Sequence, residues 1–405
     1  MKPIVRAGRM KPVHSDIRGP LFVEAMKRQK QGIDILKLNT GNPATFGFGL
    51  PDSIKNALME HLQDGVGYCD FKGMPQARQA ICDYETSKGI KGITPDDVFI
   101  GNGVSEVVSF ALTPLLNDGD EVLVPSPSYS LWGNSVYLED GKPVFYTCDE
   151  QANWYPDIQD IRSKITDKTK AIVIINPNNP TGVLYPKELL LEIIQIARES
   201  GLLIFADEIY DRLVMDGKQH ISLASLTEDV PVITLNGLSK SHSLCGYRCG
   251  WMVISGPREL TEDYRQGIIQ LTSLRLCANT MAQIVIPAAL DDMETPASMV
   301  RPGGRIYEQR EATVRELEKI DGLSFVKNDA AFYVFPKLDV KKFNITNDKQ
   351  FAHDLLDATN ILLVPGSGFD WKDSDHFRIV MLPQADILSD AIRRMGTFLD
   401  GYKQK

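Results

Sequence analysis

From about residue 97 to 255 the chain alternates short apolar runs with amphipathic stretches, and this alternation constrains the fold more than any other feature. The runs VFIGNG, EVLVPSP, PVFYT, AIVIINP, LLIFADE, VITLNG and WMVIS read as buried strands. Between several of them lie helical patterns, of which YPKELLLEIIQIARESG is the clearest. Pro186 stands in its first turn, Leu190, Ile193, Ile194 and Ala197 share one face, and Gly201 marks the stop. Strands alternating with helices imply an α/β fold, a mostly parallel central sheet with helices on both faces. After about residue 300 the pattern becomes a helix (GGRIYEQREATVRELEKI), the short strands LSFVK and FYVFP, another helix, then ILLVPG, FRIVML and a last helix, a smaller α+β unit. The expected division is a large domain over 46–300 and a small domain made of 1–45 with 301–405, which takes in the N-terminal arm and first helix.

With 405 residues, 43% of them apolar, the chain can build two cores. Forty-four basic against 53 acidic residues give a net charge of −9, which argues against nucleic acid or an anionic membrane as the main partner and favours small molecules. No run approaches the ~18 apolar residues of a membrane span, and MKPIVRAGRMKPVHSDIRGP lacks a secretory apolar segment, so a cytoplasmic protein with an irregular N-terminal arm is expected. The cysteines at 69, 82, 148, 245, 249 and 277 form no CxxC pair and the six histidines show no metal-ligand spacing, so reduced thiols and no metal are expected.

An open α/β sheet collects its ligands at the carboxyl ends of its strands, and the chemically suggestive motifs fall there. The stretch GLSKSHSLCGYRCGW places Lys240 just after the strand VITL, with Arg248 eight residues on. A lysine amine with a pKa of about 10.4 is protonated at neutral pH and must be activated, by desolvation near another cation or by covalent capture as a Schiff base. Taken alone, Lys240 reads more plainly as a solvated loop lysine. In 101-GNGVSE-106 a strand gives way to a helix whose backbone N–H groups, with the Ser105 hydroxyl, can hold a phosphate; a plain capped turn is the alternative. This is also half of a dinucleotide fingerprint, but Glu106 replaces the third glycine and is poorly placed beside a pyrophosphate. In 176-NPNNPTG-182 two prolines lock a turn, while Asn178 and Asn179 offer amide donors and acceptors. In 206-ADEIYDR-212 Asp207 ends an apolar strand, where an unpaired carboxylate costs several kcal/mol and calls for a cationic partner. Tyr210 shares that site if the chain turns into a helix. Arg378 lies inside the apolar strand FRIVML, where its planar fork suits a carboxylate; an internal salt bridge is the alternative. One ligand accounts for all of these: a phosphorylated aromatic aldehyde with a protonated ring nitrogen. Lys240 would hold it covalently, Asp207 would pair its ring nitrogen, Asn179 and Tyr210 its ring oxygen, and Arg248 with Ser105 its phosphate.

These motifs, together with 41-GNP-43, 68-YCDFKGMPQARQAI-81 and PSPSY, resemble in order and spacing the class I/II aminotransferases, pyridoxal 5'-phosphate enzymes of the aspartate aminotransferase fold (fold type I), over nearly the whole chain. LKLNTGNPATFGF, GYCDFKG, IGNGVSE, RLCAN and DHFRIV are most similar to its glutamate–pyruvate, alanine-synthesising branch. The resemblance implies that Lys240 carries the cofactor, that Tyr129 of PSPSY stacks on its ring, and that Gly103, Val104, Ser105 and Arg248 bind the phosphate. It also implies that Arg378 clamps the substrate α-carboxylate with help from Asn179 and the backbone at Gly41, and that a homodimer forms in which Tyr68 reaches the neighbouring subunit's phosphate. Two positions depart from the pattern: Gly237 stands where many relatives carry a hydroxyl residue, and Ser15 where the alanine-synthesising branch tends to an aromatic one.

The expected activity is a ping-pong exchange of an amino group between L-alanine/pyruvate and L-glutamate/2-oxoglutarate, with Lys240 as proton carrier and Arg18 on the arm meeting the second carboxylate. A surface arginine without a partner is the plainer reading of Arg18. The rivals are an aminotransferase of aromatic or branched amino acids, a pyridoxal-phosphate carbon–sulfur lyase on the same fold, and a nicotinamide dehydrogenase, which Glu106 and the lysine site disfavour. A cofactor-sensing regulator would need a DNA-binding domain and a basic surface that the chain lacks.

Overall fold

In the computed structural model, which describes residues 3–405, every apolar run between 97 and 255 becomes a strand. After a short β1 (Leu36–Lys37) come β2 (Val98–Asn102), β3 (Glu121–Ser126), β4 (Lys142–Asp149), β5 (Tyr155–Pro156), β6 (Thr169–Ile175), β7 (Leu203–Asp207), β8 (Val232–Gly237) and β9 (Cys249–Ser255). Strands β2 to β9 form one eight-stranded sheet in the order β2-β9-β8-β7-β6-β3-β4-β5. Its centre, β8 through β4, is parallel, whereas β9 runs antiparallel to both β2 and β8, and β5 closes the far edge antiparallel to β4.

Helices cover both faces because strand side chains alternate. Leu123, Ile172, Ile174, Ile204 and Val232 point to one face and meet Leu190, Ile193, Ile194 and Ala197 of the helix Lys187–Ser200. Val122, Val124, Val173, Phe205, Ile233 and Leu235 point to the other and meet Val108 and Leu112 of the helix Val104–Leu112 and Ile268 of Arg258–Arg275. Each such aliphatic side chain, fully buried, contributes about 1.5–3 kcal/mol. Pro186 caps the helix Lys187–Ser200 rather than entering it, and Gly201 ends it in the left-handed region at φ 64°.

Residues 54–82 and 278–290 pack on β2 and β9 of the large sheet, while most of the chain after residue 300 builds a further core around β10 (Leu323–Ser324), β11 (Tyr333–Val334), β12 (Lys337–Leu338), β13 (Ile361–Leu362), β14 (Val364–Pro365) and β15 (Phe377–Val380). β15 is the middle strand of an antiparallel β11-β15-β14 sheet, and β10 pairs with β12. The helices Asp348–Thr359 and Ala385–Leu399 close this core with Phe351, Leu355, Ile392 and Met395. The N-terminal stretch joins it: β1 pairs in parallel with β13, and Ala25 of the helix Pro20–Lys30 packs with Leu356 and Leu362. No single described helix is long and apolar enough to cross a membrane.

Candidate active site

The sheet topology gathers the sequence motifs at one edge. β2, β3, β6, β7 and β8 all end there, at Asn102, Ser126, Ile175, Asp207 and Gly237. Because β9 runs the opposite way, its beginning lies at the same edge, with Gly250 opposite Gly237 and Cys249 opposite Asn102. Arg248, just before β9, is thereby brought back beside the turn that follows β2.

At that turn Gly103 has φ 86°, and a Cβ there would lie 2.4 Å from the Arg248 guanidinium, so a larger residue would fill the space between the arginine and the helix start. The helix Val104–Leu112 thus begins with unpaired N–H groups beside a guanidinium whose one hydrogen bond goes to the Cys245 carbonyl, at 2.9 Å. Glu106 turns away: its carboxylate accepts from the Asn102 backbone N–H at 2.7 Å and pairs with Arg275 at 2.5 Å. Ser105 is exposed at the first turn.

Lys240 lies in a single helical turn, Leu238–Ser241, rather than on an open loop. Its Nζ donates to the Gly41 carbonyl at 2.9 Å. Burial acts to lower the pKa of this amine, but Tyr333, Cys245 and Tyr129 facing it outweigh burial and the net direction is upward. Gly237, one of the two departures, is explained by strand approach: a Cβ there would lie 2.5 Å from the Cys249 carbonyl, so this backbone has no room for a hydroxyl-bearing residue. Ser15, the other, is exposed on the arm, and nothing in the structure explains it.

Asp207 is 5% exposed, and its only side-chain donor is the indole N–H of Trp132, which gives to Oδ2 at 3.0 Å. Burial raises its carboxyl from the ordinary 3.8 to about 6, with the Trp132 hydrogen bond opposing. Tyr210 approaches through a turn, not a helix, and its hydroxyl lies 2.8 Å from that of Tyr333. The two asparagines of NPNNPTG divide their work. Asn178 accepts from the Thr181 hydroxyl at 3.1 Å and shapes the turn, whereas Asn179 accepts from Arg378 Nη1 at 2.9 Å, which leaves its amide N–H groups free.

Arg378, 1% exposed on β15, has no salt bridge among the described residues. Its guanidinium lies between the rings of Tyr333 and Phe369, 4.6 Å from each centroid, donates also to the Asn39 carbonyl, and has Nε without a partner. Tyr129 is half-buried at the end of β3 and close enough to Lys240 and Arg378 to influence both. Two residues fall outside this cluster: Arg18 is exposed and has no hydrogen-bonding or ionic partner among the described residues, and Tyr68 is 83% exposed. Sequence reasoning did not single out Trp132 or Tyr333. A Trp three residues past Tyr129 and a Tyr in the short strand FYVFP carry no local signal of a site.

One titratable cluster lies beneath the edge. Glu208, Asp211 and His220 stand close enough to hold a metal ion, a grouping the sequence spacing did not reveal. The Lys88 ammonium already pairs with both of its carboxylates, 2.8 Å from Glu208 and 3.2 Å from Asp211, and with Glu85 at 2.7 Å. Burial opposes the charge on Lys88, and the three carboxylates outweigh it.

Lys240, Asp207, Arg248 and Arg378 thus share one edge, and among the described residues none of them has an opposite charge within ion-pair distance. Asp207 and Arg378 are buried, Lys240 is half-buried and Arg248 is exposed; a ligand that brought a cation to Asp207 and a carboxylate to Arg378 would offset the cost of burying them.

The chain was compared with known proteins. The family model of aminotransferases of class I and II matches residues 33–392. The glutamate-pyruvate aminotransferase AlaA of Haemophilus influenzae is 50% identical over the full length of both chains. A crystal structure of an aminotransferase from Escherichia coli superposes with a TM-score of 0.98 at 47% identity, all of both chains covered. The alanine aminotransferase of Pyrococcus furiosus does so with a TM-score of 0.93 at 41% identity, over 98% of this chain and all of the other.

Proposed function

We propose that this chain, which belongs to the class I and II aminotransferases and shares their pyridoxal phosphate cofactor and fold type I, exchanges the amino group between L-alanine/pyruvate and L-glutamate/2-oxoglutarate. The observation that carries the reading is the set of unpaired charges, because pyridoxal phosphate and a substrate carboxylate answer each of them. The residues fit the group: Gly103 leaves open the space that Arg248 and the helix start need around a phosphate, and among the described residues Asp207 has only uncharged donors, the Trp132 indole and the Ile209 backbone N–H. Pyridoxal phosphate supplies, when bound, the ring that takes up the charge left as a proton leaves the substrate's Cα.

The chain's own residues do the rest. Lys240 would hold the cofactor and, with its amine free, would carry the substrate's Cα proton as base and then acid. Asp207 stays ionised opposite the ring nitrogen, since a cation there offsets the burial that raises its pKa. Asn179 and Tyr210 would donate to the ring oxygen, and Tyr129 would cover the ring face. The backbone N–H groups of Val104 and Ser105, with Arg248, would take the phosphate, whereas the N–H of Gly103 already donates to the Gly101 carbonyl at 2.8 Å. Arg378 would bind the α-carboxylate, with the free N–H groups of Asn179 and the backbone at Gly41, whose carbonyl accepts from Lys240, beside it.

The division into a large domain, 46–300, and a small one, 1–45 with 301–405, belongs to this reading; the core around Phe351 and Ile392 lies wholly within the second, although Phe335, Val364, Phe369 and Trp371 pack into the core of the large sheet. A homodimer with Tyr68 reaching the partner's phosphate belongs to it as well. Tyr68 and Leu274 are 83% and 82% exposed, and Met59, Leu62, Val66 and Leu276 are exposed with them, an apolar surface of the kind a partner covers. A cytoplasmic setting accords with six cysteines that are all free. Arg18 on the arm would meet the second carboxylate of 2-oxoglutarate; an unchanged KM for 2-oxoglutarate in Arg18→Ala removes it from the site.

The test is a half-reaction screen. The loaded protein is mixed separately with alanine, glutamate, aspartate, phenylalanine and valine, and the visible absorbance of the cofactor is followed. Loss with alanine and glutamate, reversed by pyruvate and 2-oxoglutarate, is expected. A response dominated by aromatic or branched donors overturns the specificity. Release of pyruvate and ammonia from cysteine conjugates without an oxo-acid acceptor replaces the transferase by a lyase.

A further inference from the structure

Tyr333 is the side chain best placed to join the two ends of the site. It lies on β11 opposite Val380, two residues along β15 from Arg378, and is 2% exposed. Its ring stacks on the Arg378 guanidinium, with 4.6 Å from Cζ to the centroid, and meets the Tyr210 ring edge-on at 5.6 Å and 84°. Its hydroxyl reaches in so far that a Cβ on Gly41 would lie 2.3 Å from it, and its one hydrogen-bonding partner is the Tyr210 hydroxyl at 2.8 Å.

Proton counting gives this contact a direction. Each phenol has one O–H, and burial holds Tyr210 neutral by raising its pKa. If Tyr210 gave its proton to Tyr333, it would turn lone pairs toward a ligand oxygen in front of it. For Tyr210 to donate to that oxygen, Tyr333 must donate to Tyr210, and a chain of donors running one way strengthens each member. We propose that Tyr333 is a positioning residue: its hydroxyl aims the Tyr210 proton at the cofactor's ring oxygen, while its ring holds Arg378 flat for the substrate carboxylate. The strand that supports the carboxylate site therefore also sets the hydrogen bond at the ring. This rests on the role given above to Tyr210.

The experiment compares Tyr333→Phe, Tyr210→Phe, their double variant and Tyr333→Leu. Three quantities are read: the position of the visible absorbance band of the loaded protein, the affinity of the apoprotein for pyridoxal phosphate, and the affinity of the loaded protein for acetate, a carboxylate without an amine. Tyr333→Phe is expected to move the band and weaken cofactor binding about fivefold, and to add nothing in the Tyr210→Phe background. It leaves acetate binding unchanged, whereas Tyr333→Leu weakens it several-fold. Additive effects in the double variant, or an unmoved band in Tyr333→Phe when Tyr210→Phe moves it, overturn the proposal. A silent Tyr210→Phe overturns the assignment of Tyr210 itself and the proposal with it. Acetate binding lost equally in the Phe and Leu variants refutes the part given to the ring. The Phe series decides the hydroxyl's role even if Tyr333→Leu fails to fold.

Discussion

Asp207→Asn should make the cofactor-free protein more stable at pH 8 while ruining its site. Burial raises the Asp207 carboxyl from 3.8 to about 6, so the folded chain keeps this proton to higher pH than the unfolded chain does. The group therefore favours folding fully below about pH 4, and that contribution is lost as pH rises through about 6. Above that, an ionised carboxylate sits buried with no cation. A rise of roughly two units, at ~1.36 kcal/mol each, sets the cost at about 3 kcal/mol. Asn keeps an oxygen for the Trp132 indole and carries no charge, so the variant should recover up to that amount. For a chain of this length that is about 3–4 °C in Tm. Thermal melts of the apoproteins at pH 8 and pH 4 test it: a gain of a few degrees at pH 8, shrinking to a fraction of that at pH 4, is expected. Adding pyridoxal phosphate should reverse the order, because only the native carboxylate gains a cationic partner on binding. A variant no more stable than the parent at pH 8, or equally stabilised at pH 4, refutes the claim that Asp207 is held ionised at a cost.

Trp132→Phe keeps the ring that packs on Phe205, with centroids 5.3 Å apart, and removes only the N–H given to Asp207; the pH below which pyridoxal phosphate binding fails should rise by about one unit, and an unmoved limit refutes the role of this donor. Arg378→Lys retains charge but loses the planar fork, so KM for both amino acids should rise roughly 10- to 100-fold with kcat less affected; equal losses in both constants would point to misfolding of β15 instead. His14, with Asp16 and Asp370 beside it, is raised to about 9. A raised histidine stabilises fully below its ordinary 6.5 and loses that contribution as pH passes about 9, so the arm should be cleaved by protease faster at pH 10 than at pH 8. In His14→Gln that difference should vanish.

The fold was legible where period and length agreed. Runs such as AIVII and LLIF are apolar without interruption because both faces of their strands are covered, and each became a central strand of the large sheet. β9 was read as a strand but not as antiparallel; nothing in WMVIS records direction, which follows from the short turn between Lys240 and Arg248 that leaves no room for a crossover helix. The elements after residue 300 were harder to bound, since β10 to β14 are each two residues long and are fixed by pairing partners far away in the chain.

The site divides along a different line. Lys240, Asp207, Arg248 and Arg378 were legible because a charge in an apolar or glycine-rich setting is costly, and cost shows in the sequence. Trp132 and Tyr333 were not, because each presents a large apolar ring that any core would accept, and its single polar atom acts on another side chain. Trp132 hydrogen-bonds Asp207 from a helix on one face of the sheet, and Tyr333 reaches Tyr210 from a separate sheet. Partners brought together only by the assembled fold leave no spacing to read. The charges that meet the ligand are therefore written in local context, while the groups that aim them are written in the packing. Substitutions at the aiming residues should for that reason alter hydrogen-bond geometry and ionisation before they alter the fold.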